Sequence, residues 1–144
     1  MEKIVIASDH AGFELKQVII NELIKLHFEI DDKGCFSADS VDYPDFAHKA
    51  ADDVDKGIVK RGIVICGSGN GVNMTANKHQ HVRSALCWNE EIARLARLHN
   101  DANMLALPAR FISTDEAVKC VYAFLNTDFE GGRHINRVNK IPVH

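Results

Sequence analysis

Apolar residues along this chain switch between two periods. Five short runs rich in aliphatic side chains read as strands: Lys3–Ser8, Glu29–Gly34, Gly62–Cys66, Arg83–Cys87 and Met104–Pro108. Between most of them, apolar positions recur at three- and four-residue steps. Leu15, Val18, Ile19, Leu23 and Leu26 form one helix face in the first connection. Residues from about 44 to 56 read as a second helix and residues 70–77 as a short third. Asn89-Glu90-Glu91 sets a capping side chain ahead of two acids, opening a helix on which Ile92, Leu95, Ala96 and His99 share a face. Ser113-Thr114-Asp115-Glu116 has the spacing of a capping box and predicts a helix through Leu125. A last helical piece follows Gly131-Gly132.

Strands that alternate with helices imply a parallel sheet covered by helices on both faces. Right-handed crossovers leave few topologies. The reading is a three-layer α/β fold, Rossmann-like or flavodoxin-like, with a five-stranded parallel sheet in a single domain over residues 1–144. The expected strand order is 2-1-3-4-5. Such folds bind ligands outside the carboxyl ends of the strands, where the order reverses. That crevice lies between strands one and three. Strand one ends in Ser8-Asp9-His10-Ala11-Gly12, and strand three runs into Cys66-Gly67-Ser68-Gly69-Asn70-Gly71, so both polar segments meet there.

Composition narrows the classes. The chain is 46% hydrophobic and 26% charged with a formal net charge of −3, so no global field favours nucleic acid or an anionic membrane. Phosphate recognition must then come from a local basic cluster. No apolar run approaches the roughly 20 residues that span a bilayer. Met1–Ile6 goes straight into a strand without a signal-peptide pattern, and the cytoplasm is the expected location. Cys35, Cys66, Cys87 and Cys120 form no CxxC pair and are expected as free thiols.

Cys66 stands apart from the other cysteines because of its successor. Glycines let main-chain N–H groups approach a ligand, and a following helix start favours negative charge. Cys66 is either a packed strand-end thiol or a base or nucleophile beside an anion-stabilising cradle. Asp9 either caps the first helix or, with His10, orients a substrate hydroxyl or phosphate. Ser68 either bonds its own backbone or donates to a substrate oxygen, and Asn70 has a simple reading as a helix cap. Tyr43 precedes Pro44 at a helix entry, and its hydroxyl suits a sugar. His99 opens the polar cluster His99-Asn100-Asp101-Ala102-Asn103. Arg133 and Arg137, four apart, share a helix face with His134 beside them, and Arg110 follows strand five. They form either a solvated charged face or a phosphate clamp. The eight histidines show no HExxH and no acidic triplet, so no metal is expected. The stretch from Cys66 to Thr75 has no arginine to close a phosphatase loop.

Taken together, Ser8–Gly12, Asp42-Tyr43-Pro44, Cys66–Gly71, Ala76-Asn77-Lys78, His99–Asn103 and Glu130-Gly131-Gly132-Arg133-His134 resemble the type B ribose-5-phosphate isomerases, a group that includes galactose-6-phosphate isomerase subunits. The resemblance implies a metal- and cofactor-independent aldose–ketose isomerase of the pentose phosphate pathway, working on ribose 5-phosphate through a cis-enediolate. It implies Cys66 as the base between C2 and C1 and His99 as the group that opens the furanose ring. Ser68 and Asp9 would hold hydroxyls. The amides of Gly67, Gly69, Asn70 and Gly71 would stabilise the enediolate oxygen, with Asn100 and Tyr43 binding the sugar. His10, Arg110, Arg133 and Arg137 would hold the phosphate. Some relatives place a glutamate just after the glycine loop. Here Val72 stands there, so this chain follows the cysteine type. Sites of this group lie between subunits, which implies a homodimer or tetramer in which the segment from about 130 to 141 reaches a neighbour's site. The alternatives are an isomerase of allose 6-phosphate, galactose 6-phosphate or a tetrose phosphate, and a non-catalytic phosphosugar-binding module.

Overall fold

The computed structural model describes residues 1–143; His144, the last residue of the expected domain, lies outside the described residues. The strands are β1 (Lys3–Ser8), β2 (Glu29–Asp32), β3 (Arg61–Cys66), β4 (Ser84–Leu86) and β5 (Met104–Pro108). The helices are α1 (Phe13–Lys25), α2 (Tyr43–Asp55), α3 (Asn70–Ala76), α4 (Glu90–Asn100), α5 (Thr114–Asn126) and α6 (His134–Asn139). The strands form one parallel sheet in the order β2-β1-β3-β5-β4.

This order corrects the expected 2-1-3-4-5. All five residues of β5 are buried, whereas the three of β4 are only half-buried. A strand apolar on both faces belongs inside a parallel sheet, and a short, partly exposed one belongs at its edge. The β1/β3 switch point is the same in both orders. β2 also ends earlier than expected, at Asp32. Lys33 and Cys35 still donate to Ile6 and Ser8 of β1, but the Asp32 Oδ1 takes the N–H of Gly34 at 2.9 Å and turns the chain aside.

Side-chain alternation sorts the core into two layers. Ile4, Ile6, Ile63, Ile65, Leu105 and Leu107 pack on one face with α1, α4 and α5. Val5, Ala7, Val64, Cys66, Met104 and Ala106 pack on the other with α2 and α3. The second layer is built of smaller side chains, matched by Ala47, Ala50 and Ala51 of α2. The helix caps follow the sequence. Asn89 Oδ1 accepts from Ile92 N, and Ser113 Oγ accepts from Glu116 N. The Glu116 carboxylate does not close its own box but accepts from Glu90 N at the start of α4. On α4 the fully buried positions are Ala93 and Ala96, so the packed face is rotated from the expected one, leaving Leu95 and His99 half-buried. Small residues there let α4 lie close against α5.

Lys16 is the core residue that periodicity missed. It is 0% exposed on α1, and its Nζ lies 2.6 and 2.7 Å from the Asp32 carboxylate oxygens, between the rings of Phe13 and Phe36. Removing one partner of such a pair strands the other charge. Lys16→Ala is therefore expected to lower unfolding free energy by about 3 kcal/mol, seen as a shifted urea midpoint with an unchanged slope.

Candidate active site

Three segments are stitched together at the carboxyl ends of β1, β3 and β5. Asp9 N donates to Ile65 O, Ala109 N to Cys66 O and Arg110 N to Gly67 O, at 3.1, 2.9 and 2.9 Å. This brings Asp9, His10 and the glycine loop to one edge, as the sequence suggested, with Arg110 beside them and apart from Arg133 and Arg137. Asp9 is buried, and its Oδ1 accepts from Gly12 N at 3.0 Å, so one oxygen serves the turn into α1. Val41 N donates to His10 Nδ1 at 3.2 Å. The imidazole proton is thereby assigned to Nε2, which makes the free edge of His10 a hydrogen-bond donor.

The glycine loop has a specific shape. Gly69 sits at the N-cap of α3 with φ of 76°, so a glycine occupies the cap and the simple reading of Asn70 as the helix cap does not hold. Ser68 Oγ accepts from Asn70 N at 3.2 Å. The amides of Ser68, Gly69 and Gly71 donate to no described residue. A Cβ on Gly71 would lie 2.5 Å from the Tyr43 ring, and one on Gly67 would lie 3.2 Å from the Arg110 side chain. Tyr43 and Arg110 therefore flank the loop from opposite ends, packed where glycine leaves room.

The thiol is less open than a strand-end residue beside such a loop suggests. Cys66 is 5% exposed and belongs to the small-residue layer with Ala7, Val72 and Ala106. The parity of β3 turns it to that face. The two cavities of about 560 Å³ lie elsewhere, one lined by Asn77, Gln80, Ser84, Asn100 and Pro142, the other by Arg61, Arg83, Arg97 and Asp101.

His99 and the α6 arginines form a second group. The α4 helix runs against the strands and ends where β5 begins. Cys66 pairs with Pro108 at the far end of β5, about 13 Å along the strand from Met104. The chain thus places His99 and Asn100 at the opposite sheet edge from Cys66, Asp9 and His10. There, the His99 and His134 rings stack with centroids 4.4 Å apart and planes 16° apart. Glu130 Oε2 lies 3.8 Å from His99 Nε2 and 3.7 Å from His134 Nε2. Glu130 N donates to Leu98 O, fastening this loop to α4. Arg97 bonds Asp101 Oδ1 and the carbonyls of Ala102 and Thr127, and Arg83 bonds Asp101 O, holding the left-handed turn after Asn100. Arg133 and Arg137 are exposed beside the histidine pair. The four expected phosphate ligands are thus divided, His10 and Arg110 on one edge, Arg133 and Arg137 on the other.

The ligand atoms of His99, Glu130 and His134 lie within 4.8 Å of one another, close enough to hold a metal ion. The two imidazole planes are nearly parallel, however, so their in-plane lone pairs run side by side and one ring must turn before both reach one ion. Burial, followed by the neighbouring His99 and Arg133, holds the His134 imidazole below its usual pKa. Glu130 and His134 escaped assignment from sequence because only their stacking and convergence, not their spacing, mark them.

The family profile described as Ribose/Galactose Isomerase matches residues 4–141. The chain belongs to the ribose/galactose isomerase family. It is 41% identical to the ribose-5-phosphate isomerase B of Escherichia coli over 99% of this chain and 96% of that protein. It is 48% identical to the probable ribose-5-phosphate isomerase B of Mycoplasma genitalium, covering 96% of this chain and 92% of that protein. The fold superposes on ribose-5-phosphate isomerase B of Clostridium thermocellum with a TM-score of 0.95 at 48% identity, covering 96% and 94% of the two chains. The Mycoplasma genitalium enzyme with bound ribulose-5-phosphate gives 0.93 at 47% identity, covering 96% and 93%.

Burial pushes the Cys87 thiol up to about 12, with Cys120 adding to it, and pushes Cys120 up to about 12, with Glu116 and Glu90 adding to it. Both stay protonated and inert at neutral pH. Native protein treated with iodoacetamide at about pH 8 is expected to carry no adduct on Cys87 or Cys120, both being labelled only after denaturation, as peptide mass mapping would record.

Proposed function

We propose that the protein interconverts ribose 5-phosphate and ribulose 5-phosphate, as its full-length relatives are named to do. The carrying observation is the division of one family's site residues between the two edges of a parallel sheet. Two copies packed with unlike edges together bring His99, Asn100, Arg133 and Arg137 of one chain to Asp9, His10, Cys66 and the glycine loop of the other. The working unit is then at least a homodimer, acting in the cytoplasm in the pentose phosphate pathway, and segment 130–141 completes the neighbour's site.

The mechanism follows from these groups. His99 gives a proton to the ring oxygen of the furanose while the anomeric hydroxyl loses one, and the C1 aldehyde forms. Cys66, as thiolate, takes the C2 proton. Charge moves to the carbonyl oxygen, where the unpartnered amides of Ser68, Gly69 and Gly71 receive it; one such donor is typically worth ~3 kcal/mol. The thiol returns the proton to C1 while the O2 hydroxyl loses its proton and O1 gains one, leaving the ketose. Asp9 and Ser68 hold hydroxyls in register, and Asn100 and Tyr43 line the sugar. His10 donates Nε2–H to the phosphate, and Arg110, Arg133 and Arg137 neutralise it, so binding far from C2 supplies orientation.

Purified protein with ribose 5-phosphate and EDTA is expected to yield ribulose 5-phosphate. Cys66→Ala is expected to lower kcat by about 10²–10⁴-fold while phosphate-ligand affinity stays within a few-fold. Absence of product, or undiminished turnover in the variant, refutes the reading. The shared site has its own check. Equal mixtures of Cys66→Ala and His99→Asn chains, each inactive alone, are expected to regain about a quarter of wild-type activity after subunit exchange, because a mixed dimer holds one intact site. Continued inactivity would place each site within one chain.

A further inference from the structure

His134 is the residue of this region whose chemistry remains unused. It is 6% exposed, and its Nε2 has no hydrogen-bond partner among the described residues. A buried, unpartnered imidazole nitrogen is costly where an apolar ring would pack as well. Its flat face lies 4.4 Å from the His99 ring, at 16° from parallel. His99 itself is 38% exposed at the side chain and, at 3.8 Å, lies beyond hydrogen-bond reach of Glu130. The stack therefore restrains the His99 ring plane, with the Glu130 carboxylate near both Nε2 atoms but bonded to neither.

We propose that His134 is a positioning residue for His99, holding its imidazole in the plane from which it serves the sugar ring oxygen. The inference rests on the isomerase reading and deepens it. His134 acts on ring opening and leaves the proton transfer at Cys66 untouched. The anchor for His134 is independent of substrate: Val138, one turn on along α6, is buried, and His134 N donates to Gly131 O.

Substrate chemistry separates the two steps. Ribose 5-phosphate is a furanose and must open before C2 reacts. Ribulose 5-phosphate is open-chain, because the hydroxyl that would close a five-membered ring onto C2 carries the phosphate. Its C1 hydrogen exchanges with solvent through the enediolate without any ring step. His134→Ala is expected to slow conversion of ribose 5-phosphate by roughly 10- to 100-fold. Deuterium entry at C1 of ribulose 5-phosphate, followed by proton NMR in heavy water, is expected to stay within about twofold of the unaltered protein, since the Cys66 step does not involve His134. His134→Phe keeps a flat face and is expected to recover most of the lost turnover. The ratio of the two rates in one sample does not depend on how much of the variant folds. Equal loss of both reactions makes His134 merely structural and overturns the proposal. So does no loss of either, or a phenylalanine variant as slow as the alanine one. Absence of both reactions in the unaltered protein overturns the isomerase reading instead.

Discussion

An all-parallel sheet has two chemically different ends, and that polarity governs everything else in this protein. Strand carboxyl ends carry Asp9, His10 and Cys66 on one edge, while helices return to the other edge before the next strand begins. A residue at the end of α4, such as His99, is bound to the edge that a residue at the end of β3 cannot reach. Local adjustment does not bridge about 13 Å of strand. Within one chain the two groups of polar side chains therefore stay apart.

The second constraint is the two-residue alternation of β3. Ile63 and Ile65 face the layer of large side chains, and Val64 and Cys66 face the layer of small ones. The thiol consequently emerges beside α2 and α3, under the loop whose glycines admit the Tyr43 ring and the Arg110 side chain. The same parity closes the thiol almost completely. The burial of the thiol and its position under the glycine loop come from one geometric fact, and a one-residue register slip would undo both.

Charged groups hold the loops that carry the candidate site residues. The Lys16–Asp32 pair turns the chain at Gly34, and the segment that follows supplies Val41, the partner that orients His10. Arg97 and Arg83 converge on Asp101 and hold the turn after His99 and Asn100. Among the described residues no helix is long and apolar enough to cross a membrane. The partly buried arginines among these fasteners satisfy backbone carbonyls as well as carboxylates.

Strand and helix identities, the parallel class and the residues at the β1/β3 switch were legible in the chain, because side-chain period, capping residues and glycine spacing are local properties. The family resemblance was legible for the same reason, being carried by short motifs in fixed order. Strand order was not, although the contrast between a fully apolar β5 and a short β4 marks which belongs inside. Nor were the burial of Lys16, the rotation of α4 onto Ala93 and Ala96, the near closure of Cys66, or the stacking of His134 on His99. Each of these depends on which surfaces meet across long sequence separations. Periodicity within one element carries no record of its neighbours; packing decides it, and here packing set the two groups of candidate residues on opposite edges.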